Sequence, residues 1–568
     1  MKISGAAIII KLLEIHGIER IAGIPGGANL PMYHALAANR SIRHILARHE
    51  QGAGFIAQGQ ARSTGKVGVF FATSGPGATN ALTAVADARL DSVPIICITG
   101  QVPQALIGTD AFQEIDTYGL SVPITKHNYL VRSARELLEV IPEAFRIAAE
   151  GRPGPVWIDV PKDVQNEIIE VDVWPEPQPP HQPDPIAPEL LERAANCILH
   201  AQKPILYIGG GAVHSGAHAE IGELVDRLHL PTTSSLMGLG VLPTDHARFI
   251  GMLGMHAARY TNLLLDECDC LIALGVRFDD RATGKIEAFC PHAKVVHIDI
   301  DRSEIGKLRQ PEISITADLK QALDALLPLL PERKRVEWLQ RVESLKEQHP
   351  LEWEDVDRAC SPYGPFVQTA KALSATADVF ITTDVGQHQM RAAQCFPFNR
   401  ARQWLTSGGL GTMGFGLPAA IGVALEHPDA TVVCFTGDGS LLMNIQELAL
   451  IAEEDLNLKV VLCNNQSLGL VYQQQQLFYQ QRLIASTFPT STDFVMIARG
   501  FGVEAFDLGQ AEEPELLLQE LLRRRGGCLI NIPTELDAHV FPMVPPGGSN
   551  REMVDAASLA AQGKEAIA

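Results

Sequence analysis

Asp438 and Asn465 stand 27 positions apart, each just past a β-branched run: residues 431–435 precede Gly437-Asp438-Gly439-Ser440, and residues 459–463 precede Asn464-Asn465. With a helix expected over about 441–453, this is one β-α-β unit. Both side chains then emerge on the same edge of a parallel sheet. A carboxylate, an amide oxygen and a nearby backbone carbonyl suit Mg²⁺, which prefers oxygen ligands and shares phosphate oxygens. The glycines let the backbone approach a diphosphate, whose charge a helix N-terminus favours. Gly-Asp-Gly alone arises in turns by chance; the whole strand-loop-helix-strand unit is far more specific.

A second carboxylate stands out at the end of the run 42–47, in Arg48-His49-Glu50-Gln51-Gly52-Ala53-Gly54. By composition alone Glu50 reads as a surface acid at a helix start. Gly23-Ile24-Pro25-Gly26-Gly27 lies upstream of it and the diphosphate unit lies downstream.

The elements that must position these groups alternate along the whole chain. Strands are expected at 67–72 and 93–99 around a helix at 78–89, at 204–208, 270–274 and 294–298, and at 431–435 and 459–463. Such alternation implies parallel sheets covered on both faces. Ligands then sit at the carboxyl ends of the strands, where Thr73-Ser74-Gly75-Pro76-Gly77, Gly209-Gly210-Gly211 and the two motifs of the third block fall. A nicotinamide-type G-x-G-x-x-G fails, since His214 stands three past Gly211.

Two segments divide the chain. Seven prolines between Trp174 and Pro188 read as an extended linker, and the charged run around 331–357 reads as a solvated joining helix that ends near His349-Pro350. The expected order is a domain at 1–170, a linker at 171–189, a domain at 190–330, a charged linker at 331–360, a domain at 361–547 and a tail at 548–568. The fold class is α/β, with three doubly wound parallel-sheet domains and no sequence repeat among them. A chain of 568 residues exceeds one core. A net charge of −20, with no long basic run, argues against a nucleic-acid groove, which needs a basic surface. No run approaches the roughly 18 apolar residues of a membrane span. Ten scattered cysteines without zinc spacing fit reduced thiols in a cytoplasmic protein.

Several segments are more specific than any of this: Ile107-Gly108-Thr109-Asp110-Ala111-Phe112-Gln113-Glu114, Gly151-Arg152-Pro153-Gly154-Pro155, Gly251-Met252-Leu253-Gly254-Met255-His256, Arg277-Phe278-Asp279-Asp280-Arg281, Gly408-Gly409-Leu410-Gly411-Thr412-Met413-Gly414 and Pro542-Met543-Val544-Pro545-Pro546-Gly547. Together they resemble the large, catalytic subunit of anabolic acetolactate synthase, also called acetohydroxyacid synthase, over about residues 5–547. This is a family of thiamine-diphosphate (ThDP) enzymes. The resemblance implies that pyruvate is decarboxylated on ThDP and its two-carbon fragment is joined to a second pyruvate, giving 2-acetolactate, or to 2-oxobutyrate, giving 2-aceto-2-hydroxybutyrate. This is the first common step towards valine, leucine and isoleucine. It further implies a homodimer with ThDP held between the first domain of one chain and the third of its partner, a small regulatory subunit, and FAD in the middle domain.

Carried over residue by residue, Glu50 resembles the carboxylate that contacts the ThDP pyrimidine, and Gly27 lines the same pocket. Asp438, Asn465 and the main-chain oxygen of Ser467 match the Mg²⁺ ligands. Val385, Gln387, His388, Gly411, Met413, Gly437, Gly439, Ser440 and Leu470 match positions that hold the cofactor, with Met413 under its bend. Phe112, Gln113, Lys162, Met255, Asp280 and Arg281 match the substrate channel, where Arg281 suits a bidentate carboxylate. Arg152, Gly210, His256, Gly275, Arg277, Asp299 and Asp318 match the FAD positions.

The chain departs from the family pattern at two places. Gln474 stands where many members carry a tryptophan that favours 2-oxobutyrate, and Arg391 stands where an aromatic residue is common. Rival readings are another ThDP enzyme of the same fold, such as a pyruvate oxidase or a decarboxylase, and a regulatory paralogue without catalysis. Glyoxylate carboligase is disfavoured, because it resembles this chain but lacks the glutamate that Glu50 supplies.

Overall fold

The computed structural model describes residues 1–178, 184–376 and 378–555. Of the expected linker and tail, residues 179–183 and 556–568 lie outside the described residues. Three six-stranded sheets, each wholly parallel, form the body of the chain, beside one antiparallel pair, Lys2–Ser4 with Ile168–Glu170. The first runs in the spatial order Arg43–Leu46, Arg20–Gly23, Gly68–Ala72, Ile95–Gln101, Val156–Pro161 and His127–Leu130. The third runs Trp404–Leu405, Val379–Thr383, Thr431–Gly437, Leu458–Asn464, Cys528–Pro533 and Glu504–Asp507. Numbered within each sheet, both read 2-1-3-4-6-5, so the two share a topology without sharing a sequence. The middle sheet reads 3-2-1-4-5-6, from Phe249–Met252 through Thr232–Ser234, Pro204–Ile208, Cys270–Leu274 and Lys294–Asp299 to Ile313–Thr316.

In each order the chain reverses direction beside its first strand, and ligands bind at such switch points. The switch points are bounded by Gly23 and Ala72, by Ile208 and Leu274, and by Thr383 and Gly437. The glycine-rich loops at 23–27, 73–77, 209–211 and 437–440 fall at these points, whereas 251–256 and 408–414 follow edge strands.

The first and third sheets share one core. Helix Glu50–Thr64 lies against helix Gly416–Glu426, and glycines set their separation. A Cβ on Gly59 would lie 2.0 Å from the Ala419 carbonyl oxygen, and one on Gly422 would lie 2.1 Å from that of Ile56. Only bare backbone permits so close an approach.

Two expectations need correction. The helix expected over 441–453 is three short pieces, Asp438–Leu441, Ile445–Glu447 and Leu448–Glu453. The buried Asn444 breaks it by donating its side-chain amide to the Gly414 carbonyl (2.7 Å). The charged helix, Val336–Gln348, is not solvated all round. It buries Trp338, Val342 and Leu345 against the middle sheet, and Trp338 Nε1 donates to Pro204 O at 3.0 Å. All ten cysteines are unpaired, and seven are buried. Among the described residues no helix is long and apolar enough to cross a membrane.

Candidate functional site

Three groups of side chains gather at the switch points. In the third sheet, Asp438 follows the strand Thr431–Gly437, and Asn465 follows Leu458–Asn464. The two side chains converge on one backbone amide: Ser467 N donates to Asp438 Oδ2 at 3.1 Å and to Asn465 Oδ1 at 3.2 Å. Gln387 Oε1 accepts from Asn465 Nδ2 (3.3 Å), and Ser440 Oγ donates to Val385 O (3.0 Å). A Cβ on Gly437 would lie 3.1 Å from the His388 ring, and one on Gly439 would lie 3.6 Å from Met413 Cε. Val385, Gln387, His388, Met413, Gly437, Asp438, Gly439, Ser440, Asn465 and Ser467 therefore form one cluster.

The electrostatics of this cluster suit a cation. Burial pushes the Asp438 carboxyl up to about 6, against the pull of the Gly439 and Ser467 amides, and no basic side chain pairs with it among the described residues. The nearby oxygens of Asn465 and Ser467, whose buried hydroxyl has no partner, complete an all-oxygen donor set that fits Mg²⁺. Burial pushes His388 down to about 3, so its ring is neutral and its buried Nε2 is unpartnered. Because the helix opening at Asp438 has only four residues, backbone amides rather than a long helix dipole must meet a diphosphate.

At the first sheet, Glu50 opens helix Glu50–Thr64 and is buried. Its Oε2 accepts from Asn80 Nδ2 at 3.0 Å, while a Cβ on Gly77 would lie 3.3 Å from its Oε1. Thr73 Oγ1 is buried without a partner. Gly75, at φ +56°, packs its Cα against Gln113, where a Cβ would meet backbone at 2.9 Å. Loop 73–77 thus brings Glu50 and Gln113 together. Gly27 borders open space, and Phe112, beside Gln113, is 88% exposed. Lys162 stands half-buried at the end of the strand Val156–Pro161. Nothing in the sequence near Glu50 marks Asn80 as its partner.

The third group lines a cavity of about 1150 Å³ walled by all three sheets. Arg152, Gly210, His256, Gly275, Arg277, Asp299 and Asp318 line it from the middle sheet's switch point and its neighbours. Met255, Asp280, Arg281, Val385, Gly411, Leu470 and Gln474 line it too. Gly211 and Gly275 meet backbone to backbone, since a Cβ on either would lie 2.6 Å from the other's Cα. Arg152 spans two sheets, pairing with Asp301 (3.0 Å) and Glu304 (2.7 Å) while donating to Ser92 Oγ (2.8 Å). Burial raises Asp299 to about 6 and lowers His256 to about 4. The Arg281 side chain is 63% exposed, with Asp280 3.8 Å away and Met255 Sδ 3.9 Å away, so its guanidinium can take a bidentate carboxylate. Glu50, Gly27, Phe112, Gln113 and Lys162 do not line this cavity.

Arg391, the departure without an aromatic, is wholly buried. It donates Nη2 to Ala538 O and lies 5.7 Å from the Tyr363 ring centre. With Gln394, which donates to His256 O (3.0 Å) and Phe541 O (3.2 Å), it ties the C-terminal segment to the cavity wall.

Three family models match the chain: the thiamine pyrophosphate enzyme N-terminal TPP binding domain at residues 3–120, the central domain at 191–326 and the C-terminal TPP binding domain at 384–532. The acetolactate synthase isozyme 1 large subunit of Escherichia coli (strain K12) is 54% identical over 554 residues, covering 97% of this chain and 98% of that one. The isozyme 2 large subunit of the same organism is 44% identical, over 97% and 99%. Acetolactate synthase 1, chloroplastic, of Zea mays is 44% identical, over 97% and 88%.

Proposed function

The chain belongs to the acetolactate synthase large-subunit family of thiamine pyrophosphate enzymes, and on that premise we propose that it makes 2-acetolactate from two molecules of pyruvate. With 2-oxobutyrate as acceptor the product is 2-aceto-2-hydroxybutyrate. The observation that carries the reading is the cluster at the third sheet's switch point: a buried, unpaired carboxylate converging with an amide oxygen beside Met413 and a neutral His388.

ThDP, when bound, supplies the carbanion-stabilising ring that the protein lacks. Asp438, Asn465 and the Ser467 carbonyl would hold Mg²⁺, and Val385, Gln387, His388 and Met413 would hold the cofactor. Glu50 moves the proton at the pyrimidine, its orientation fixed by Asn80. Arg281 takes the carboxylate of the acceptor, with Met255, Asp280 and Gln474 around it. FAD fits the cavity: its volume exceeds the ~300–1,000 Å³ of ordinary ligand sites. Bare glycine backbone at 209–211 and 275 leaves room for close approach, and Arg152, Arg277, His256, Asp299 and Asp318 supply polar partners.

Glu50 and Asp438 sit in separate clusters of one chain. Phe112, Tyr118, Leu120 and Val122, in the segment that contains Gln113, and Leu442, Met443, Val471 and Ile484, in the segments that follow Asp438 and Asn465, are exposed. A homodimer that brings one chain's Glu50 to its partner's Asp438 covers both and completes the site, with Phe112, Gln113 and Lys162 joining the channel across the interface. The relatives are named large subunits, and we extend that to a small regulatory partner here. Ten unpaired cysteines suit a cytoplasmic enzyme.

Assay of the purified chain with pyruvate, with and without ThDP and Mg²⁺, tests the proposal. Acetolactate that depends on both additions supports it. Acetyl phosphate or free aldehyde as the product would move the chain to a rival chemistry.

A further inference from the structure

Arg62, Asp87 and Asp91 are buried where the three sheets meet. Arg62 Nη2 pairs with Asp91 Oδ2 at 2.8 Å and with Asp87 Oδ2 at 3.2 Å, and Nη1 donates to Thr406 O at 3.0 Å. The guanidinium lies 5.0 Å from the centre of the Phe415 ring. Both carboxylates then grip one loop. Gly408 N and Gly409 N donate to Asp91 at 3.0 and 2.7 Å, while Ser407 Oγ and Thr412 Oγ1 donate to Asp87, the latter at 2.8 Å. The middle sheet joins through Arg402, which donates to Arg62 O (3.0 Å) and Val213 O (3.3 Å).

The loop packs closely against its neighbours. A Cβ on Gly408 would lie 2.3 Å from Met237 Sδ, and one on Gly409 would lie 2.9 Å from Asp91 Oδ1. Two carboxylates facing one guanidinium leave a net negative charge inside the protein, and burial pushes Asp87 up to about 6. Such a buried ionic set is a poor source of stability compared with apolar packing, and its best-attested use is to fix register. What it fixes here is the loop 407–414, which carries Gly411 and Met413 and sets Gly409 beside Arg277, whose Nη2 a Cβ there would meet at 3.2 Å.

We propose that Asp91 is a positioning residue for the reaction: by docking the glycine loop it sets Gly411 and Met413 against ThDP. The inference rests on the function proposed above. It makes ThDP affinity, rather than stability alone, depend on an acid outside the ThDP cluster, in the wall of the cavity proposed for FAD.

The test compares holoenzymes of wild type, Asp91→Asn, Ser407→Ala and, as a control, Arg335→Met. Arg335 is also a buried cation, but it donates only to the carbonyls of Ala201, Leu228 and Ile198, away from the cavity. The readouts are Mg²⁺-ThDP affinity by titration calorimetry, the split between the apparent KM for ThDP and kcat, and thermal unfolding. Asp91→Asn, which loses a charged acceptor of two amides, should weaken ThDP binding by about ten-fold or more, with KM moving further than kcat. Ser407→Ala should shift affinity the same way by less, and Arg335→Met should lower Tm without moving ThDP affinity. Unchanged ThDP affinity in Asp91→Asn overturns the inference. If that variant does not fold, unchanged affinity in Ser407→Ala overturns it instead. A wild type that binds no ThDP would sink the functional reading first, and this inference with it.

Discussion

The Asn80 amide fixes one oxygen of Glu50 and leaves the other facing Gly77, a geometry that a neutral amide can copy without its acid chemistry. Glu50→Gln should therefore keep the fold, yet slow turnover at saturating ThDP by about 100- to 10,000-fold, the usual worth of a positioned acid-base group. Near-wild-type turnover would remove Glu50 from its role. Asp438→Ala deletes the one carboxylate in the proposed Mg²⁺ set, so activity and ThDP binding should need much more Mg²⁺. Mg²⁺ titration of both reads the change, and identical curves would place the metal elsewhere. Gln474 lines the cavity with Met255 and Arg281, where glutamine gives an acceptor's extra methyl group little apolar contact. Offered pyruvate and 2-oxobutyrate together, wild type should prefer the larger acceptor only weakly. Gln474→Trp should raise the share of 2-aceto-2-hydroxybutyrate by about 10-fold, the worth of one such contact, even if the bulky ring strains the channel and lowers total rate. An unchanged product ratio would show that this position does not set specificity. Individual residues were unevenly legible in the sequence. Asp438 and Asn465 were read from local spacing, whereas Asn80 and Arg62 act through contacts between distant segments that leave no periodic trace. Arg391 acts the same way, through the carbonyl of Ala538 far along the chain.

Helices and strands were easier to read than their ends and breaks. The eight apolar runs picked out as strands lie within a residue or two of strands in the fold, because a strand covered on both faces must be apolar throughout. Ten of the eighteen parallel strands, such as Val156–Pro161 and Val379–Thr383, were not picked out. The helix expected over 441–453 failed because Asn444 bonds Gly414, thirty residues earlier, and a long-range polar bond overrides local periodicity. The tight pairing of helices Glu50–Thr64 and Gly416–Glu426 was equally hidden, since glycines inside helices lower helix propensity without announcing a partner. It makes a clear prediction. Gly59→Ala puts a methyl 2.0 Å from the Ala419 oxygen and must push the helices apart, costing about 1–3 kcal/mol. Gly222→Ala, in helix His218–Leu228 with nothing within 4 Å of its Cβ, should instead gain about 0.5–1 kcal/mol. Thermal unfolding of the two variants measures the difference. Equal stabilities would contradict the packing described.

At the scale of the whole molecule, the three-domain α/β plan could be read from alternation and glycine loops, while the matching 2-1-3-4-6-5 order of the first and third sheets could not, because topology is set by which strands pair. That shared order gives the molecule two switch points of the same kind on one core, one carrying Glu50 and the other Asp438. In the proposed homodimer a working site takes Glu50 from one chain and Asp438 from its partner. Mixing Glu50→Gln and Asp438→Ala chains tests this, at a Mg²⁺ concentration too low to restore the Asp438→Ala variant, so that each variant alone is nearly inactive. After unfolding, mixing in equal amounts and refolding, half the dimers should be mixed. In each mixed dimer one site then holds both substitutions and the other holds neither, so acetolactate synthesis should return to about a quarter of the wild-type level. If each site were built within a single chain, every site would carry one substitution, and activity would stay at the level of the separate variants.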